Sequence, residues 1–139
     1  MGLDISAGDY GFRAGSYSRF ASFRDWLPQQ IGFKDAADYY EHFKDKEGEW
    51  NNTTGMSKNA RNMPLGPLMH HSDCDGEIGP GLAKKLLTEL QDIKNKLPAT
   101  WSTQNTEEEN EEISHRESLD HWIETCKKAI DYKEPIDFH

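Results

Sequence analysis

The chain is poor in several features that small folds often rely on. It has two cysteines in 139 residues, Cys74 and Cys126. So sparse and widely spaced a pair does not make a disulfide scaffold and points to free thiols in a reducing compartment. Hydrophobic residues are only 35% of the chain. No window approaches the roughly 18 uncharged apolar residues of a membrane-crossing helix, so a membrane partner is not expected. Met1-Gly2-Leu3-Asp4 opens with neither a basic stretch nor an apolar run, against a secretory leader and for a cytoplasmic chain. Bases are scarce, 16 Lys and Arg against 25 Asp and Glu, for a net charge of −9. Duplex nucleic acid would be repelled at long range. There is no phosphate-binding loop, dinucleotide fingerprint, CxxC or HExxH, so familiar NTP, NAD and zinc chemistries have no support. Internal repeats are also missing.

What is present suits one domain over 1–139, with loops at 49–63 and 99–106. Aromatic residues reach 11%, enough to fill a core. Leu3-Asp4-Ile5-Ser6 alternates like a short strand, and Ala7 to Gly11 and Ala14 to Ser16 read as turns. Ser16 or Ser18 caps a first helix with Tyr17, Phe20, Arg24 and Leu27 in a stripe and Phe23 and Trp26 adjoining it. Pro28 should loosen its last turn, and Gly32 should stop it. Asp35 caps a second helix over 36–46, which carries Tyr39, Tyr40 and Phe43. Pro80 opens a third helix with Leu82, Leu86, Leu90, Ile93 and Leu97 on one face, ended by Pro98. A last helix starts at Thr106, where Glu109 completes a capping box, or at Ser114, and buries Ile113, Trp122, Ile123, Cys126 and Ile130. Ile136-Asp137-Phe138 alternates like Leu3-Asp4-Ile5, so the two ends are expected to pair as strands. The expected fold class is α+β, with about four helices around one core and a small sheet that includes both termini.

The acidity is uneven. Residues 107–134 hold ten acids against four bases, two-thirds of the excess. Such a run at a helix start is usually solvated and favoured by the helix dipole. A partner-facing acidic patch is the alternative.

The octet His70-His71-Ser72-Asp73-Cys74-Asp75-Gly76-Glu77 gathers two imidazoles, a hydroxyl, three carboxylates and a thiol. Asp73, Asp75 and Gly76 fit positions three, five and six of a calcium loop, but His71 and Leu82 fail at one and twelve. A zinc set of His71, Asp73 and Cys74, with His70 or Glu77, lacks supporting spacing. Three readings stay open. Asp73, Asp75 and Glu77 hold a divalent ion; or the octet is an Asp-rich turn that caps the third helix; or its carboxylates accept hydrogen bonds from a ligand. Cys74 reads as a small buried filler rather than a nucleophile, and Cys126 as core. A second cluster, Gly15-Ser16-Tyr17-Ser18-Arg19-Phe20 with Arg24 and Trp26, sets rings beside planar cations. There Arg19 or Arg24 would meet phosphate, and Tyr17 or Trp26 would stack on a base. The alternative is an aromatic core stripe with surface arginines.

Met1 to Ile5, Tyr17 to Phe20 with Arg24, His71 to Ile78, Trp122 with Cys126 and Ala129, and Ile136 to Phe138 together resemble a family. Its members are small phage, prophage and bacterial proteins that begin Met-Gly-Leu-Asp-Ile and carry a central His-Ser-Asp-Cys-Asp-Gly-Glu-Ile. Residues 33–63 and the acidic linker fall outside the resemblance, and the octet is its specific part. The resemblance implies a shared pattern rather than an activity. It implies that Tyr17, Arg24, His71, Ser72, Asp73, Asp75, Gly76 and Glu77 form one unit.

The expected function is binding of a small polar ligand by Tyr17, Arg19, Arg24, Trp26, His71, Ser72, Asp73, Asp75, Gly76 and Glu77. In a phage-type protein that ligand would be a nucleotide-derived immune signal, held to disarm a defence. A hydrolase that uses the octet, through a metal or through acid/base chemistry, is the second expectation. A protein-interaction domain that uses the acidic last helix is the third. A 139-residue domain leaves little room for a deep pocket, so a homodimer with the site at its interface is also expected.

Overall fold

The computed structural model describes residues 2–97 and 107–139. Strand β1 (Gly2–Ala7) turns at Gly8-Asp9 into β2 (Tyr10–Ser16). Helix α1 (Tyr17–Gln29) follows directly, then α2 (Ala36–Phe43). A two-stranded ribbon, β3 (Trp50–Asn51) and β4 (Met56–Ser57), leads to a 3-10 turn at Ala60–Asn62 and the short α3 (Gly66–Met69). Strand β5 (Gly76–Ile78) precedes α4 (Pro80–Lys96), α5 (Glu107–Tyr132) and β6 (Ile136–Phe138). The main sheet has the order β2-β1-β6-β5 and is antiparallel throughout. The fold is therefore α+β, and the two terminal strands pair, Ile5 opposite Phe138 and Ser6 opposite Asp137.

Local chemistry explains the helix starts. Ser16 Oγ accepts from Arg19 N at 3.1 Å and caps α1. The Asp35 carboxylate accepts from Asp38 N at 2.8 Å and caps α2. Each satisfies one amide that would otherwise lack an intrahelical partner. Pro28 sits inside α1 and is buried, one residue before the helix ends. Helix α5 runs unbroken through Ser114, so the later start is not used. The Thr106–Glu109 capping box, the Pro98 stop and the 99–106 linker lie outside the described positions.

The core joins Leu3 and Ile5 of β1, Phe20, Phe23 and Leu27 of α1, Leu86 and Leu90 of α4, Trp122 and Cys126 of α5, and Phe138. Burying these rings and branched chains removes apolar surface from water, at about 25 cal/mol per Å². No helix among the described residues is long and apolar enough to cross a membrane.

The structure differs from expectation at several places. Ile113, expected on the buried face of the last helix, is exposed, and α1 ends at Gln29, short of Gly32. Residues 10–16 form a strand, whereas turns were expected around both its ends. Two glycines break the alternation, and Leu3 faces Gly15 while Asp4 faces Arg13, which leaves one extra residue as a bulge. Helix α2 stops at Phe43 instead of 46. The 49–63 stretch, expected as a loop, contains the β3–β4 ribbon. Strands of two residues are too short for any periodicity to show.

Candidate functional site

The octet divides into three parts with different roles. His70 and His71 are buried, 5% and 3% exposed. Asp73, Cys74 and Asp75 form an exposed tip. Gly76 and Glu77 belong to β5. The fold of the tip follows from Ser72, whose Oγ accepts from Cys74 N at 3.2 Å and Asp75 N at 3.3 Å. A serine that satisfies backbone amides two and three positions on closes a tight turn locally. The ribbon then fixes the loop: Ser72 N donates to Gly55 O, Ser57 N to His70 O, and Glu77 N to Thr54 O. Helix α4 is not capped by the octet. Its N-cap is Gly79, which supplies no side-chain bond.

His71 is the pivot. Its ring stacks on Phe138 with centroids 3.9 Å apart. Nδ1 lies 3.0 Å from Ser72 O, and Nε2 lies 3.0 Å from Glu77 O. Carbonyls only accept, so the imidazolium donates to both while the neutral ring donates to one. Burial pushes the His71 pKa down, and the two carbonyls oppose that shift. His70 packs edge-on against Tyr40, with Nδ1 3.4 Å from Glu47. Its Nε2 is buried without a partner among the described residues. Burial lowers its pKa as well, partly offset by Glu47.

Arg24 of α1 reaches the octet from the other side. Nη1 donates to His71 O at 2.7 Å, and the guanidinium lies over the Phe20 ring, 4.2 Å from its centroid. Burial lowers the Arg24 pKa. The neighbouring Tyr40 phenol and the nearby Asp73 charge pull the other way. The Tyr40 hydroxyl in turn donates to Met69 O. Burial raises the Tyr40 pKa, which keeps the phenol neutral.

These groups enclose a cavity of about 400 Å³ lined by Ala21, Arg24, Ala36, Tyr40, His71, Ser72 and Asp73. Of the residues expected at a binding site, Arg24, His71, Ser72 and Asp73 meet there. Tyr17, Arg19, Trp26, Asp75, Gly76 and Glu77 do not line it. Helix geometry explains part of this: at 3.6 residues per turn, Trp26 lies about 200° round α1 from Arg24. Trp26 instead stacks on His115 of α5, and its Nε1 donates to Glu112 Oε2 at 2.6 Å. Tyr17 is on the Arg24 face but about 10 Å along the axis, packed against the core. Arg19 is exposed.

Sequence reasoning missed Tyr40, Ala21 and Ala36. The signal existed: Ala36 and Tyr40 are four apart on one helix face, and small residues leave room beside a ring. Cys74, expected as a buried filler, is exposed, whereas Cys126 is buried and its thiol pKa is pushed up to about 12 by burial. Among the described residues no three His, Cys, Asp or Glu side chains gather closely enough to hold a metal ion. This includes Asp73, Asp75 and Glu77, the trio of one of the three readings of the octet. No family model, curated protein or solved structure matches the chain.

Proposed function

We propose that the chain binds a small polar ligand in the cavity between α1, α2 and the octet. The observation that carries this is a concavity of about 400 Å³ with a guanidinium and a carboxylate, Arg24 and Asp73, on its walls. That size suits a small-molecule site, and few polar groups suffice to orient a ligand there. An anionic group would sit toward Arg24, and a hydroxyl or amine would face Asp73. A nucleotide fragment fits this class, with phosphate at one end and ribose or base donors at the other. Binding without turnover is favoured because both His71 nitrogens already face backbone carbonyls. None is left to shuttle a proton to a ligand. In the phage-type setting that the sequence resembles, the protein would be cytoplasmic and would sequester a nucleotide-derived signal. A homodimer could deepen the site.

The test is titration with a panel of cyclic and ADP-ribose-type nucleotides, followed by denaturation and mass analysis of the released ligand. Intact release is expected. Ala21→Trp, which fills the cavity and removes no charge, should abolish binding while the fold persists. Asp73→Asn should weaken binding about tenfold or more, the cost of a lost charge-assisted hydrogen bond. Unchanged affinity in Ala21→Trp would overturn the reading, and altered product would replace binding with catalysis. If neutralising the exposed acids at the start of α5 abolished a protein interaction that Asp73→Asn spared, the acidic helix would be the functional surface.

A further inference from the structure

The β3–β4 ribbon carries a second cavity, of about 220 Å³, with a different chemistry. Its walls include Lys58 and Arg61, the polar side chains Asn51, Thr54 and Ser57, and Leu82 as an apolar wall. Not one lining residue is acidic, in a chain with 25 Asp and Glu against 16 bases. Among the described residues neither Lys58 nor Arg61 has a carboxylate in ion-pair reach, while six other cationic side chains there pair with acids.

The orientation of the two cations follows from the backbone. Met56, Ala60 and Met63 are buried, 6%, 0% and 3% exposed, which turns the intervening Lys58 and Arg61 outward. The ribbon is tied to the octet by Ser57 N to His70 O at 3.0 Å and closed on itself by Lys58 N to Glu49 O at 2.7 Å. Asn51 Oδ1 is used internally, accepting from Thr53 N at 2.8 Å, so its free amide hydrogens remain as donors. The Thr54 and Ser57 hydroxyls line the cavity as groups that can both donate and accept. The concavity thus presents several donors and two positive charges, and none of its described lining residues is acidic.

We propose that this ribbon cavity binds a tetrahedral oxyanion, the phosphate of a small metabolite or inorganic phosphate itself. The planar guanidinium of Arg61 gives two parallel donors, Lys58 adds a point charge, and the hydroxyls and amide take the remaining oxygens. The site uses none of the residues of the Arg24 cavity, so it stands or falls separately.

The test is an amide-resolved NMR titration of the full chain with inorganic phosphate, with ionic strength held constant by chloride. Saturable shifts of the ribbon and the 3-10 turn are expected. They should weaken about tenfold or more in Lys58→Gln and in Arg61→Gln and vanish in the double variant. Lys58→Arg should retain them. Both side chains are exposed, and unchanged signals from β1, β6 and α4 would show that each variant is folded. Three results would overturn the proposal: ribbon shifts that follow chloride alone, shifts at Arg24 and Ser72 with none at the ribbon, or ribbon shifts undiminished in the double variant.

Discussion

Gly76 shows how one residue can fix a functional loop. Its φ is +101°, and a Cβ there would lie 2.2 Å from Thr54 O. The backbone of the octet therefore touches the ribbon where only hydrogen fits. Gly76→Ala should destabilise the fold by about 3 kcal/mol, read as a lower urea midpoint at unchanged slope. Gly81 in the first turn of α4 has open space around it. Gly81→Ala should stabilise by about 0.5 kcal/mol, since alanine loses less backbone entropy in a helix. The sequence marked Gly76 as a member of a special octet but not why it is glycine. The reason is a contact with a segment more than twenty positions earlier, which no local pattern encodes.

Between elements, α1 and α5 are tied by the Trp26–Glu112 hydrogen bond and by the stack of Trp26 on His115. A double-mutant cycle with Trp26→Phe and Glu112→Gln should give a coupling energy of about 1.5 kcal/mol, as for a hydrogen bond to a charged partner. A coupling near zero would show that ring packing alone holds the pair. Trp26 was legible as a large residue beside the helix stripe, and its partner was not. The long helices α1, α4 and α5 announced themselves by 3.6-residue periodicity and by caps such as Ser16. Strands β3, β4 and β5 did not, because two or three residues cannot display a period and their pairing is with distant segments. The cavity suffered likewise: Arg24 and Asp73 were readable as chemistry, but Tyr40 needed α2 to be docked before it had a neighbour.

For the whole molecule, three buried histidines link stability to pH. His70, His71 and His115 all have pKa values below the ordinary 6.5, burial being the main cause. Glu47 opposes the shift at His70, backbone carbonyls and Asp75 oppose it at His71, and Glu112, Glu111 and Asp25 oppose it at His115. Arg24 adds to it at His70 and His71, and Arg19 at His115. The unfolded chain thus binds protons that the folded one refuses. This contribution to stability is intact above pH 6.5 and is lost progressively as the pH falls below that value. Urea midpoints at about pH 7.5 and about pH 5.5 should differ in that direction, and His115→Gln should reduce the difference. Equal midpoints would show that the folded rings protonate as freely as unfolded ones.

Composition and periodicity alone set the class of this molecule: an acidic α+β chain without a membrane-crossing helix, with capped helices and two matching terminal strands. Those features depend on neighbours within a few positions, where side-chain spacing and capping chemistry act directly. The site depended on docking. Folding turned Trp26 away from Arg24 and brought Tyr40 of α2 to the guanidinium. It turned both His71 nitrogens toward backbone carbonyls, and it set Lys58 and Arg61 around a cavity beside a ribbon too short to be seen in advance. Burial and long-range hydrogen bonds decided these points, because they join residues that the sequence keeps far apart.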